Sequence, residues 1–265
     1  MKLQFVLIAG LLLSGIFAFA QPTTKGLPKG VSDATLIDQL MKPVQGFGSN
    51  VRDLLQQRNL KPYMMPVRDV GGKGNEQAYI VATALEYYVN LNRNYKENLS
   101  PDYISLSLNV AGKQPSVEES LLFLAQNGTV SAAIMPYGAT TITGAVFATP
   151  KIKIENYLFL FRDLTKDNQR VFETKKALMR GHPVIVEFKT DESLRNLKST
   201  RQWSPGSGTQ DEYTLMVVGF DETQEAFEVL SCWGADWGLN GYAWIKYNDF
   251  GKYAVNGYVI VPVGK

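Results

Sequence analysis

Residues 66–86 read PVRDVGGKGNEQAYIVATALE, a glycine-rich turn that empties into an apolar helix. Asn75 is a preferred N-cap, and Glu76 in the first turn complements the positive end of the helix dipole. From about Glu76 to Asn90, the residues Ala78, Val81, Ala82, Leu85 and Val89 recur on one face at helical spacing. Tyr79, Ile80 and Ala84 cover the other side, so this helix is apolar nearly all round and is expected to be central. A helix start behind a flexible turn is where many enzymes hold a nucleophile. Here the tip carries Asn75, Glu76 and Gln77 instead.

On either side of this stretch the chain changes character. Residues 21–50 are rich in Gly, Pro, Thr and Ser and read as an extended, loosely packed lead-in, with residues 21–60 as lead-in and start of the domain. A second helix is predicted at Ser116–Gln126, with Ser116 capping, Glu119 three residues on and Gly128 closing. A third is predicted at 172–181, ending on Gly181. After Pro183 come the short runs VIVEFK, EYTLMVVGF, AFEVLSCW, GYAWIKY and GYVIVPV, rich in β-branched and aromatic residues and separated by Gly, Asp and Asn. The fold class is therefore α+β. A helical half over 61–150 meets an antiparallel β half over 151–265.

Composition narrows the functional classes. The 265 residues are 45% hydrophobic and 20% charged, ordinary for a globular chain. Lys2 and the apolar run from Phe5 to Phe19, closing on Ala18-Phe19-Ala20, read as a secretory signal over residues 1–20. Without Lys2 the count of Lys and Arg falls from 27 to 26, against 25 acidic residues. Such a near-neutral chain without a basic run argues against a nucleic-acid partner. The apolar run is short for a membrane span and no second one follows, so no integral membrane association is expected. Export to a bacterial periplasm, cell surface or medium is expected. Cys232 is the single cysteine, so no internal disulfide forms.

Six blocks in order carry a resemblance. They are 66–86; NLSPDYISLS at 98–107; SVEESLLFLAQNG with MPY at 135–137; GHPVIVEF at 181–188; EYTLMVVGFDE at 212–222; and SCWGADWGLNGYAWIKY at 231–247. The last is the most specific, since Trp233, Gly234, Trp237, Gly238, Gly241 and Tyr242 all stand in register. The chain resembles the papain-like cysteine peptidases over nearly its whole length past the signal. The resemblance implies two halves with a cleft between them.

It also implies a catalytic cysteine at the helix start, a proton-carrying histidine, an orienting asparagine and an oxyanion glutamine. Carried over position by position, the glutamine falls on Val70, the cysteine on Glu76, the histidine on Tyr213 and the asparagine on Ser231. A cysteine of the family's usual disulfide falls on Lys73. All four catalytic positions are replaced, so no catalytic residue is assigned, and a non-catalytic module binding a peptide or protein segment is expected. The binding candidates are Gly72, Gly74, Asn75, Glu76, Tyr213, Ser231 and Trp233. Near Ala111-Gly112-Lys113-Gln114 the family carries paired glycines, and here Lys113 and Gln114 intrude on extended substrate pairing. About 40 residues from Gln21 to Leu60 are too few for the family's helical propeptide.

No other residues supply the missing chemistry. Cys232 follows Ser231, and strand alternation turns it into the core if Ser231 faces the cleft. His182, the single histidine, sits at a strand entrance between Gly181 and Pro183. With one His, no H-E-x-x-H site exists, and neither metal nor cofactor is expected. Glu76 and Tyr213 are expected to hydrogen-bond across the cleft. The alternatives are a hydrolase with chemistry rebuilt around Glu76 and Tyr213, assisted by Asp211 or Glu212, and an envelope subunit whose cleft is filled by residues 138–150 or 198–210.

Overall fold

A computed structural model of the chain describes residues 26–45, 55–72, 74–91, 96–109 and 113–264. The expected signal at 1–20, Lys73 and Ala111-Gly112 lie outside the described residues. Helix α1 spans Ala34–Leu40 and strand β1 Gln57–Asn59. Helices α2 (Glu76–Asn90), α3 (Pro101–Leu108), α4 (Val117–Gln126) and α5 (Gly144–Ala148) build the helical half. Then come β2 (Ile154–Phe161), α6 (Asp167–Met179), β3 (Val184–Thr190), β4 (Asp211–Asp221), β5 (Ala226–Leu230), β6 (Tyr242–Lys246), α7 (Tyr247–Tyr253) and β7 (Ala254–Pro262). No helix among the described residues is long and apolar enough to cross a membrane.

Helix α2 is the axis of the molecule. Asn75 Oδ1 accepts from the Ala78 N–H at 2.7 Å, so the cap expected from sequence starts the helix at Glu76. Residues Ala78–Tyr87 are all buried, against α3 and α4 on one side and the sheet on the other. Glu86, a carboxylate inside this apolar helix, is matched by the buried Arg68 and accepts the Leu99 N–H. The predicted second helix is closed by a capping box: Ser116 Oγ accepts from Glu119 N at 3.2 Å, and Ser116 N donates to the Glu119 carboxylate at 2.8 Å.

The sheet is antiparallel, in the order β2-β7-β3-β4-β5-β6, with β1 added along the end of β4. Phe188 of β3 and Phe227 of β5 meet Phe250 of α7 at ring separations of 5.5 and 4.5 Å, which anchors that helix to the sheet. A strap ties the halves together. Val70 N donates to the Cys232 carbonyl at 2.7 Å, and Gly234 N to the Arg68 carbonyl at 2.9 Å.

Three expectations need correction. The lead-in is packed rather than loose: Val31, Ile37, Leu40 and Met41 are buried, Val31 bridges Leu158, and β1 pairs with Gly219–Asp221. The third helix begins at Asp167, five residues before its expected start, and ends at Met179. Arg170 hid that start, because a buried charge breaks the apolar pattern. Its guanidinium donates to the carbonyls of Gly251 and Ala254 at 2.8 and 2.6 Å. Strand β2, inside the β half expected over 151–265, is missing from the runs read after Pro183. Buried on nearly every residue, it shows no alternation to read.

Candidate functional site

The turn before α2 is set by its glycines. Gly71 adopts φ +62°, and Asp69 Oδ1 accepts its N–H at 2.9 Å. Gly74 N donates to the Val70 carbonyl at 3.2 Å, and a Cβ at Gly74 would lie 2.4 Å from that oxygen. This close crossing delivers the chain to Asn75 and puts Glu76 at the helix tip.

The Glu76 carboxylate faces the β half. Trp233 Nε1 donates to its Oε1 at 2.6 Å, and a backbone N–H of Thr214 also supports its charged form. Arg195 Nε lies 3.9 Å from the same oxygen, with the guanidinium 4.7 Å from the Trp233 ring centre. Burial nevertheless raises the Glu76 pKa above its ordinary value, and the charge of Asp211 adds to the rise. Tyr213 stands edge-on to Trp233 at 5.7 Å, and Trp233 is edge-on to Trp237 at 5.3 Å. Burial raises the Tyr213 phenol as well, helped by the charges of Asp211, Glu76, Glu192 and Asp191.

The expected Tyr213–Glu76 hydrogen bond does not form between these two residues. The indole of Trp233 takes the carboxylate, while the Tyr213 ring packs against that indole. A cleft of about 920 Å³ opens beside them, floored by Gly74, Asn75, Glu76 and Gln77 and walled by Glu192, Arg195, Asn196 and Gly208–Tyr213. Gly74, Asn75, Glu76 and Tyr213 thus line it. Gly72 is exposed outside it, Ser231 is buried behind it, and Trp233 is buried with the Arg195 guanidinium over its ring. Ser231 does not face the cleft, because its Oγ accepts the Trp233 N–H at 3.3 Å. Val70 is buried beneath the turn.

Neither loop proposed as a plug fills the space. Residues 138–150 do not line it, and α5 within them holds Phe147 72% exposed. The 198–210 loop contributes only its last residues, while Trp203 is fully buried and donates to Ser193 Oγ at 3.0 Å. Of the two residues expected to intrude, Gln114 lines the cleft and Lys113 does not. Arg195 escaped the sequence reading. DESLRNLK at 191–198 looks like any solvated loop, and nothing in it marks one cation as facing a tryptophan.

The lone thiol and the lone imidazole do not meet. Cys232 is 1% exposed, its Sγ lies 3.9 Å from the Glu76 carbonyl oxygen, and burial raises its thiol well above the usual value. His182 is buried between the Tyr88 hydroxyl at 2.8 Å and the Lys42 carbonyl at 2.6 Å.

A sequence model described as papain family cysteine protease matches residues 61–263, and the chain belongs to that family. An uncharacterized peptidase C1-like protein of Acanthamoeba polyphaga mimivirus is 34% identical over 93 residues, 32% of this chain and 30% of that protein. Gamete and mating-type specific protein A of Dictyostelium discoideum is 24% identical over 202 residues, 74% of this chain and 44% of that protein. The chain thus spans less than half the length of these curated relatives. Among solved structures, xylellain, a cysteine protease from Xylella fastidiosa, superposes with a TM-score of 0.64 at 18% identity, over 84% of this chain and 97% of that one. The bromelain protease from Ananas comosus gives 0.63 at 18% identity, over 78% and 99%. The papain-like fold is shared.

Proposed function

We propose that this papain-family chain is a non-catalytic homologue whose cleft binds a peptide or protein segment, and that it works outside the cytoplasm, in a bacterial periplasm, on the cell surface or in the medium. The observation that carries the reading is Glu76 at the tip of α2, its carboxylate held by Trp233. A carboxylate in that seat is a poorer nucleophile toward amides than a thiolate. Tyr213, in the proton carrier's position, stays protonated at neutral pH because burial raises its phenol further. Val70 offers no side-chain donor to an oxyanion. The cleft volume falls in the range of small-ligand sites, and the N-terminal signal pattern supports export.

A second reading, a hydrolase with rebuilt acid–base chemistry, is favoured by one observation: the raised pKa of Glu76 in a cleft. One set of assays separates the two. The non-catalytic reading expects no turnover of a mixed peptide library, and no alkylation of Cys232 by a thiol reagent until the chain is denatured. Turnover abolished by Glu76→Gln would establish the hydrolase instead. A pull-down from the native envelope, with Glu76→Ala as control, tests binding. Equal recovery of partners by both proteins removes the cleft from the function.

A further inference from the structure

Resting on the reading that the cleft binds a peptide, we propose that its ligand presents a lysine or arginine side chain to Glu76 and Trp233, and that Arg195 is an internal stand-in displaced by that cation.

The chain itself shows how this seat takes a cation. Arg195 lies with its guanidinium over the Trp233 face at 4.7 Å and its Nε 3.9 Å from Glu76 Oε1. These are the two contacts a cationic side chain seeks, an aromatic face and a carboxylate. The grip is loose. At 3.9 Å the ion pair lacks hydrogen-bond geometry, and the Arg195 side chain is 38% exposed at the cleft wall. Trp233 and Glu76, by contrast, are fixed by their own 2.6 Å hydrogen bond and stay aligned when Arg195 swings away. The receptor is preorganised and its placeholder is loosely held, which keeps the cost of exchange low.

The surrounding charge selects the same ligand. Among the described residues, four carboxylates line the cleft, Glu76, Glu192, Asp211 and Glu212, against the one guanidinium of Arg195. The chain as a whole carries a formal charge of +2, so this negative surplus is local to the cleft. An acidic segment would meet like charges on both walls, and a neutral one would leave the carboxylates unanswered. Burial pushes the Glu76 pKa up, which means that the charged carboxylate is underserved by the partners it has.

The test uses the purified chain and three fluorescent hexapeptide libraries, randomised except for a fixed central Arg, Gln or Glu, read by anisotropy. The Arg library is expected to bind about tenfold tighter than the Gln library, with the preference shrinking as salt rises. Glu76→Gln keeps an acceptor for the Trp233 indole and is expected to fold normally, yet to abolish the preference. Arg195→Ala is expected to act the other way and tighten Arg-library binding several-fold. A role for Arg195 in stability alone would not move the two variants in opposite directions. Equal binding of all three libraries overturns the cation inference and leaves the peptide-binding reading standing. Binding of none overturns that reading, and this inference with it. An Arg preference that persists in Glu76→Gln also overturns the inference.

Discussion

Trp233 Nε1 donates to Glu76 Oε1 at 2.6 Å, tying the segment after β5 to the first residue of α2. Both residues are largely removed from water, so this bond closes the interface between the two halves at the base of the cleft. Trp233→Phe keeps the aromatic packing on Tyr213 and Trp237 but strips the donor from a desolvated carboxylate. It is expected to cost about 1.5–3 kcal/mol in chemical denaturation. In the Glu76→Gln background the acceptor is no longer a charge, and the same substitution is expected to cost about 1 kcal/mol. Equal costs in the two backgrounds would show that the carboxylate does not depend on the indole.

Glu76 also gives the stability curve a signature of known sign. Its folded pKa is raised above 4.5, chiefly by burial, so folding favours the protonated form. The stability it contributes is present at low pH and lost as pH rises through the folded pKa. The groups facing it are Arg195 from the loop after β3, Asp211 and Tyr213 on β4, and Cys232 after β5. Unfolding free energies of the native chain minus those of Glu76→Gln are expected to decline with rising pH across that window. A difference independent of pH would mean that Glu76 is as well solvated folded as unfolded.

His182 runs in the opposite direction. Burial pushes its pKa from 6.5 down to about 4. A depressed base stabilises the fold above its unfolded pKa, and that stability is lost as pH falls from about 6.5 toward 4. The neutral ring has one donor and one acceptor, and its neighbours fix which is which. The Lys42 carbonyl can only accept, so Nε2 carries the proton and Nδ1 accepts from the Tyr88 hydroxyl. As the single histidine of the untagged chain, it is resolved by NMR without assignment. The Nε2–H tautomer and a ring that does not titrate until about pH 4 are expected. Ordinary titration near 6.5 would contradict the burial.

What was legible in the sequence follows from how local each signal is. The caps of α2 and α4 depend on side chains within three residues, and both stand where Asn75 and the Ser116–Glu119 pair put them. The strands after Pro183 were visible because Gly, Asp and Asn punctuate them. Strand β2 lacks such punctuation, and the start of α6 is masked by Arg170, whose carbonyl partners on Gly251 and Ala254 lie 81 and 84 residues away. The register placed Glu76 and Tyr213 near one another but not who bonds to whom. Two acceptable donors competed for one carboxylate, and the indole took it through a packing arrangement no local pattern encodes. Arg195 was invisible for the same reason.

Gly241, in the aromatic block that carried the family resemblance, sits at φ +80°, a left-handed conformation that residues with a Cβ resist. A Cβ there would also lie 2.4 and 2.6 Å from the two methyl carbons of Val67, just before the strap. Gly241 holds the site geometry through two bonds: its carbonyl accepts from Ser231 N at 3.1 Å, and its N–H donates to the Trp237 carbonyl at 2.9 Å. Gly241→Ala therefore meets two penalties, the dihedral one at roughly 1–2 kcal/mol and a steric one on top. Val67→Ala removes the methyl carbons and is expected to relieve much of the steric part but none of the dihedral one, its own Cβ still 2.9 Å away. The double variant should then be more stable than the sum of the single losses allows, while staying below the native chain in thermal denaturation. Strict additivity would mean that Val67 simply moves aside, leaving the backbone dihedral as the whole reason for a glycine at this position.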